Sequence, residues 1–332
     1  MALSRSKPDP LKNALPFELP VRELDVEIAE LRADHRKEEG EDAPDTPEIT
    51  EVVQRRDALL AEMQAGLTVW QRVQMSRHVE RPTTTDYVDR LFTDVLELHG
   101  DRHFGDDRAI FAGFATMQDG RRIVLVAHRK GRTTAERIET NWGCAHPEGY
   151  RKALRVMQLG QKLGLPIVTF INTPGAYPGI GAEERGQASA IAWNILEMAR
   201  LRVPVVSLVI GEGGSGGALG IGVCDRLLVL ENSYYSVISP EGCASILWKD
   251  GTRAEEAANA LKLDPAFLQE LGLADERLPE PVGGAHRDVD AAARVVGEAL
   301  QRHLTELAAL PLDDLLAARE HRYRNIGRFT GV

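Results

Sequence analysis

Hydrophobic residues in this chain follow two rhythms, and the change between them divides it. Early on the spacing is helical. Leu24, Ile28 and Leu31 share one face, and after the interruption GEDAPDTPEIT so do Val53, Leu60, Met63 and Leu67. The glycine and prolines of that interruption end one helix, and Thr50 offers an N-cap for the next. A helical hairpin is expected, its charged faces solvated or else serving as a docking arm for a partner chain. Residues 1 to about 20 hold four prolines and little periodicity, and are expected to be loosely ordered. From Arg81-Pro82 the rhythm changes. A helix is expected over Tyr87 to Leu98, after which AIFAGFATM and RIVLVAHRK read as strands joined by a turn at Gln118-Asp119-Gly120-Arg121. There follow a helix over 148–163, a strand over 166–172, a helix over 182–200, a strand over 204–210, a short helix, a strand over 226–230 and a helix near Cys243. These strands are almost continuously apolar, so both faces must be covered; their alternation with helices predicts α/β layering around a largely parallel sheet. From about 290 the chain reads helical to the end, with Leu304, Leu307 and Leu310 on one side and a break at Pro311. The implied divisions are an N-terminal extension and hairpin (1–80), a main domain (81–305) and a C-terminal helical tail (306–332).

Composition narrows the function classes. With 332 residues and 43% apolar content the chain can bury a large core. A formal charge of −10 argues against duplex DNA or an anionic membrane as the main partner. Cys144, Cys224 and Cys243 lie far apart with no CxxC pair, so neither a metal centre nor a disulfide framework is expected. The segment MALSRSKPDPLKNALPFELP lacks the apolar stretch of a secretory signal, and no run approaches a membrane span. A soluble, cytoplasmic protein is the expectation. His99 and His103 in ELHGDRHFGDD have the look of metal ligands but are read as structural.

The chemistry points to glycine. Between Val203 and Leu219 the chain reads VPVVSLVIGEGGSGGAL, an apolar strand entering five glycines within seven residues. About forty residues upstream a second strand breaks into TPGAYPGIG. Glycine permits close backbone approach, and the first N–H groups of a helix have no partner within it. Two such turns at neighbouring strand ends make an anion-stabilising floor. Gly211 to Gly216 also fits the dinucleotide pattern GxGxxG, but the helix after it is only about two turns long. Gly213 to Gly217 fits the nucleophile elbow GxSxG around Ser215, with His286 and Asp288 as distant base and acid. A Walker A loop is excluded, since no Lys-Ser or Lys-Thr follows. In the third reading the Gly216 and Gly217 amides themselves stabilise a developing oxyanion, where losing one preorganised donor costs roughly 3–4 kcal/mol.

Four long strings, KGRTTAERIETNWGCAHPEGYRKALR, FINTPGAYPGIGAEERGQASAIA, VPVVSLVIGEGGSGGALGIGVCDR and YSVISPEGCASILWKD, together resemble the alpha subunit family of bacterial acetyl-coenzyme A carboxylase carboxyltransferases, collinearly over about residues 80 to 300. That resemblance implies a crotonase-like (ClpP-type) spiral of ββα units and an α2β2 enzyme. It implies transfer of a carboxyl group from carboxybiotin, on a biotin carboxyl carrier protein, to acetyl-CoA, giving malonyl-CoA for fatty acid synthesis. The beta subunit would hold a zinc ion, and a biotin carboxylase would consume the ATP. Gly216 and Gly217 would be the catalytic donors. Gly175, Tyr177 and Gly179 would line the same pocket, and Gly143 and Cys144 would help bind biotin or its carrier. The family more often reads Asn-Phe-Gly-Met where this chain has Asn-Trp-Gly-Cys. Lys130 and Arg132 are candidates to meet a cofactor phosphate, or are simply solvated. Propionyl-CoA as substrate and a serine hydrolase using Ser215 are the alternatives.

Overall fold

The structure, a computed structural model, describes residues 11–40 and 42–327. The chain forms two compact units: the described residues to Thr68 with His78–Glu80, and Val69–Arg77 with the residues from Arg81 onward. In the first unit, α1 (Leu19–Glu39) packs against α2 (Pro47–Ala65), burying Val21, Leu24, Ile28, Ile49 and Leu60. Arg56 reaches across to Asp25 at 3.0 Å. The N-cap of α2 is Thr46, not Thr50: its hydroxyl accepts from the Ile49 amide, and Pro47 follows at the first helical position. Residues 11–20 are ordered into turns and the start of α1, contrary to expectation; residues 1–10 lie outside the described residues.

The second unit begins with α3 (Val69–Ser76) and α4 (Thr84–Leu91). The helix expected over 87–98 stops at Leu91, and Phe92–Glu97 forms strand β1, antiparallel to β2 (Ile110–Met117). In FTDVLEL the apolar positions fit both periods, and pairing with β2 decides between them. β2 turns at Gly120 (φ +82) into β3 (Arg122–His128), as the turn residues predict. Next come α5 (Thr134–Glu139), α6 (Pro147–Lys162) and β4 (Ile167–Thr173). The helix expected over 182–200 is two, α7 (Ile180–Glu184) and α8 (Gln187–Ala199), split at Gly186, whose left-handed φ of +81 interrupts the helical run. β5 (Val205–Gly214) runs four residues beyond its expected end, taking in part of the glycine run, and leads into α9 (Ser215–Leu219). β6 (Arg226–Leu230), β7 (Tyr234–Ser236), α10 (Pro240–Trp248), α11 (Ala254–Ala260), α12 (Pro265–Glu270) and β8 (Glu276–Leu278) precede the long α13 (Val289–Ala308) and α14 (Leu312–Arg324).

The sheet order is β1-β2-β3-β4-β5-β6-β8, with β7 also on β5; it is antiparallel through β3 and parallel after it. Alternate residues of each strand enter different cores. Val124, Val126, Ile167 and Val205 pack with Tyr150 and Met157 of α6, while Ile123, Leu125, Val168 and Val206 pack with Leu300 and Leu304 of α13. Both faces are therefore covered, as continuous apolar strands require. The carboxyl ends of the parallel strands β4 and β5 carry the two glycine turns.

Candidate functional site

The turn after β4 and the turn after β5 meet. Pairing between these strands slips at Asn172, with Ile171 opposite Val209 but Thr173 opposite Gly213. Beyond the slip the backbones touch so closely that only glycine fits. A Cβ on Gly217 would lie 2.4 Å from the Gly175 carbonyl carbon and 2.5 Å from the Ala176 nitrogen. One on Gly214 would lie 2.1 Å from the Pro174 oxygen, and one on Gly143, which has φ +83, 2.7 Å from the Asn172 oxygen. Gly143, Gly214 and Gly217 thus converge on the segment 172–176. Gly216 is half-buried and Gly175 faces open space, so the floor opens at those two positions. Gly214 is the N-cap of α9, and Gly216 and Gly217 stand among the first N–H groups, which lack an intrahelical acceptor.

The other expected pocket residues divide. Tyr177 stacks on His146 with ring centroids 4.1 Å apart, and its amide donates to the Ala145 carbonyl at 3.0 Å. Gln187 Nε2 donates to both Ala145 and Tyr177 carbonyls, so the turn after β4 is tied to the one before α6. Gly179 leaves room for the Tyr177 ring, 2.4 Å from where its Cβ would be. Burial pushes the Cys144 thiol up to about 11, Lys130 offsetting only part of it, so it stays protonated and inert near neutrality. The Lys130 ammonium is engaged by Glu212 and the Arg132 guanidinium by Asp86 at 2.7 Å. Both residues line a cleft of about 570 Å³ with Arg108 and Arg129, which pair with Glu139 and Glu97. These cations already have carboxylate partners, which weakens their reading as phosphate contacts. His99 Nδ1 donates to Asp106 at 2.9 Å, and the same carboxylate holds Lys152 at 2.7 Å.

Ser215 has φ +52, the strained turn of a nucleophile elbow, yet no histidine hydrogen-bonds it among the described residues. Asp288, its candidate acid, instead caps α13 by accepting from the Ala291 amide at 2.8 Å.

Sequence reasoning missed Glu212 altogether. It is buried, and its carboxylate accepts from Lys130, from Arg77 Nε at 2.7 Å and from the Tyr234 hydroxyl at 2.9 Å. Burial alone would raise this carboxyl, but Lys130 and Arg77 outweigh it and hold it at about 2. The available signal was a lone charge in an otherwise apolar strand. His128, at the end of β3, is likewise fully buried beneath the floor. The Asn172 amide donates to its Nδ1 over a long 3.4 Å. Burial lowers it to about 4, against the smaller pull of the Phe170 carbonyl, Asp107 and the Gly217 carbonyl.

That shift has a consequence for stability. The unfolded chain takes up the His128 proton near pH 6.5 but the folded chain only near pH 4. Unfolding therefore gains a proton in that window, and stability falls as pH drops through it, by on the order of 3 kcal/mol for about two and a half pKa units. Urea midpoints measured from pH 7.5 to 4 are expected to fall, and His128→Gln to flatten the slope. An unchanged slope in the variant would assign the effect to other groups.

The chain is similar to proteins of known family. Residues 14–327 match the family model described as acetyl co-enzyme A carboxylase carboxyltransferase-like. The chain is 51% identical over 315 residues to a carboxyl transferase subunit alpha of acetyl-coenzyme A carboxylase from Geobacter metallireducens, covering 95% of this chain and 98% of that one. It is 57% identical over 265 residues to its namesake from Geobacter sulfurreducens, covering 80% and 83%. Among solved structures, a transcarboxylase 12S core with methylmalonyl-coenzyme A and methylmalonic acid bound aligns with TM-score 0.55 at 19% identity, over 69% of this chain and 44% of that one. A Pseudomonas malonate decarboxylase hetero-tetramer in complex with coenzyme A aligns with TM-score 0.51 at 19% identity, over 67% and 89%. The fold is that of the crotonase-like carboxyltransferases.

Proposed function

Since the chain belongs to the acetyl-coenzyme A carboxylase carboxyltransferase alpha family, we infer its chemistry from the floor that family membership brings into focus. The chain is a carboxyltransferase subunit of a multi-subunit enzyme that uses acyl-CoA and makes malonyl-CoA from acetyl-CoA. The carboxyl donor is carboxybiotin on a biotin carboxyl carrier protein, charged by an ATP-consuming biotin carboxylase. A zinc-bearing beta subunit completes an α2β2 assembly.

The main-chain donor set fits such a substrate. Gly216 and Gly217 present neutral N–H dipoles, which suit an oxygen that becomes anionic during reaction. Gly175, with open space beside it, and the Tyr177 turn leave room for a flat, neutral ring. Carboxybiotin supplies the transferred carboxyl group and, once that group has left, the base. This chain's part is to place the ring, stabilise the charge left on its ureido oxygen, and exclude water with the turn tied down through Gln187. No acid or base side chain is required of it. Gly143 and Cys144 contribute backbone to the same wall. Lys130 and Arg132 serve the cleft beside it. The observation that carries this reading is the meeting of the two glycine turns at Gly217 and Gly175.

One flank of the floor is apolar and exposed. Helix α8 packs on α9, and Ala192, Trp193 (56% exposed), Leu196 and Ala199 of α8 and Leu219 of α9 are exposed. A patch of this kind marks a protein contact, and we assign it to the beta subunit. The helical segment within residues 1–80 is read as a second docking arm. The purified chain alone is expected to show no malonyl-CoA formation, and to gain it when mixed with its beta partner and carboxylated carrier. Trp193→Asp is expected to weaken that assembly in sedimentation velocity. Turnover by the chain alone would overturn the shared-site reading.

A further inference from the structure

We propose that Glu212 is a positioning residue for the carboxyl transfer, its buried carboxylate fixing the backbone of the glycine turn that starts at the next residue. The proposal rests on the carboxyltransferase reading of the floor. Between Glu212 and Ala218 the chain reads Gly-Gly-Ser-Gly-Gly, so only Ser215 has a side chain with which to hold the turn. Glycine has the most conformational freedom to lose, and a donor set of glycine amides is preorganised only if something else holds it. Sheet pairing at this point is thin: β4 offers only Thr173, opposite Gly213, β7 pairs with Glu212, Gly213 and Gly214, and Gly216 and Gly217 lie beyond both ladders. The β4–β5 ladder is broken by the register slip, and the Glu212 amide donates to the side chain of Asn172, at Oδ1, 3.2 Å away.

Three other elements converge on the Glu212 carboxylate. Lys130 comes from the end of β3, Arg77 from the end of α3, and Tyr234 from β7, which pairs with β5 through Glu212, Gly213 and Gly214. Arg77 continues to Glu241 of α10 at 2.6 Å, and its Nη2 donates to the Tyr234 hydroxyl at 3.1 Å. The grouping of two cations with two carboxylates is balanced, and it is anchored at four separate points in the fold. Glu212 is the last side chain before the floor that is gripped in this way. Its carboxylate touches no substrate; it acts through the main chain that follows it.

The test is Glu212→Gln in the enzyme assembled with its beta partner, assayed with carboxylated carrier and acetyl-CoA. The amide keeps the shape but cannot hold both Lys130 and Arg77. A displacement of the donors by a fraction of an ångström to 1 Å should lower kcat by roughly 10- to 100-fold. KM for acetyl-CoA should stay within about twofold and sedimentation of the assembly should be unchanged, because uniform binding is untouched, while melting falls as Lys130 and Arg77 lose their buried counter-charge. Lys130→Met should move kcat in the same direction, and the double variant should be no worse than the more damaged single. A rise in KM with kcat preserved in Lys130→Met would return that residue to phosphate binding and overturn its part here. Wild-type kcat in a folded Glu212→Gln enzyme would overturn the proposal; if that variant fails to assemble, the kcat of Lys130→Met decides in the same way. Inactivity of the assembled wild type would overturn the carboxyltransferase reading instead.

Discussion

Replacing Gly217 by alanine in the assembled enzyme is expected to abolish most carboxyl transfer, lowering kcat by at least 100-fold. A methyl group there would sit 2.4 Å from the Gly175 carbonyl carbon and 2.5 Å from the Ala176 nitrogen. Both are backbone atoms, with no flexible side chain that might swing aside. One of the two turns must retreat, and either movement takes a donor away from the oxyanion. Losing one preorganised donor typically costs roughly 3–4 kcal/mol, hence two to three decades in rate. Gly216→Ala is a built-in comparison, because its Cβ would meet only Ile191 at an ordinary 3.5 Å. It should assemble normally and lose activity only so far as the methyl intrudes on the ring-binding space. If Gly217→Ala assembles and retains full kcat, the glycines are there for packing and the floor is not the catalyst. Partner association measured on the same samples separates a damaged site from a lost complex.

The contrast between Gly217 and Glu212 explains what could be read from the chain and what could not. The floor was legible because its signals are local: an apolar strand, a glycine run and a helix start follow one another within about a dozen residues. The strands β2 to β6 were legible because burial on both faces leaves almost unbroken apolar runs. Phe92–Glu97 reads as helix because its apolar positions satisfy two periods, and only pairing with β2, which no local window contains, selects the strand. β7 and β8, three residues each, are too short to carry a period. Glu212 belongs to another class. Its partners lie 82, 135 and 22 positions away, so nothing within a window reveals that Lys130, Arg77 and Tyr234 meet there. Lys130 consequently reads as a cation that is either solvated or suited to phosphate, when its charge is already matched from inside the fold.

Arg319 illustrates the same blindness with a larger effect on stability. In the sequence it is one of many charges on a helix near the end, and α14 there looks peripheral. In the fold Arg319 is almost fully buried and spends its donors on five contacts. Nε and Nη2 each meet an Asp225 oxygen at 2.7 Å, while Nη1 and Nη2 reach the carbonyls of Leu201 (2.5 Å), Val203 (2.9 Å) and Met198 (3.3 Å). Those carbonyls belong to the end of α8 and the connection into β5, and Asp225 also accepts from the Val205 amide at 2.7 Å. One guanidinium thus satisfies both the loop that starts β5 and a buried carboxylate. Arg319→Met leaves Asp225 charged and unpaired along with three carbonyls, and breaking a buried pair in this way costs roughly 3–5 kcal/mol. For a chain of this size that corresponds to a Tm lower by roughly 10 °C. Adding Asp225→Asn removes the stranded charge, so the double variant should be more stable than Arg319→Met alone, a sign that simple loss of packing would not produce. A thermal melt of the three proteins decides between them: if Arg319→Met melts with the wild type, α14 is an appendage and the strand entry is held by other contacts.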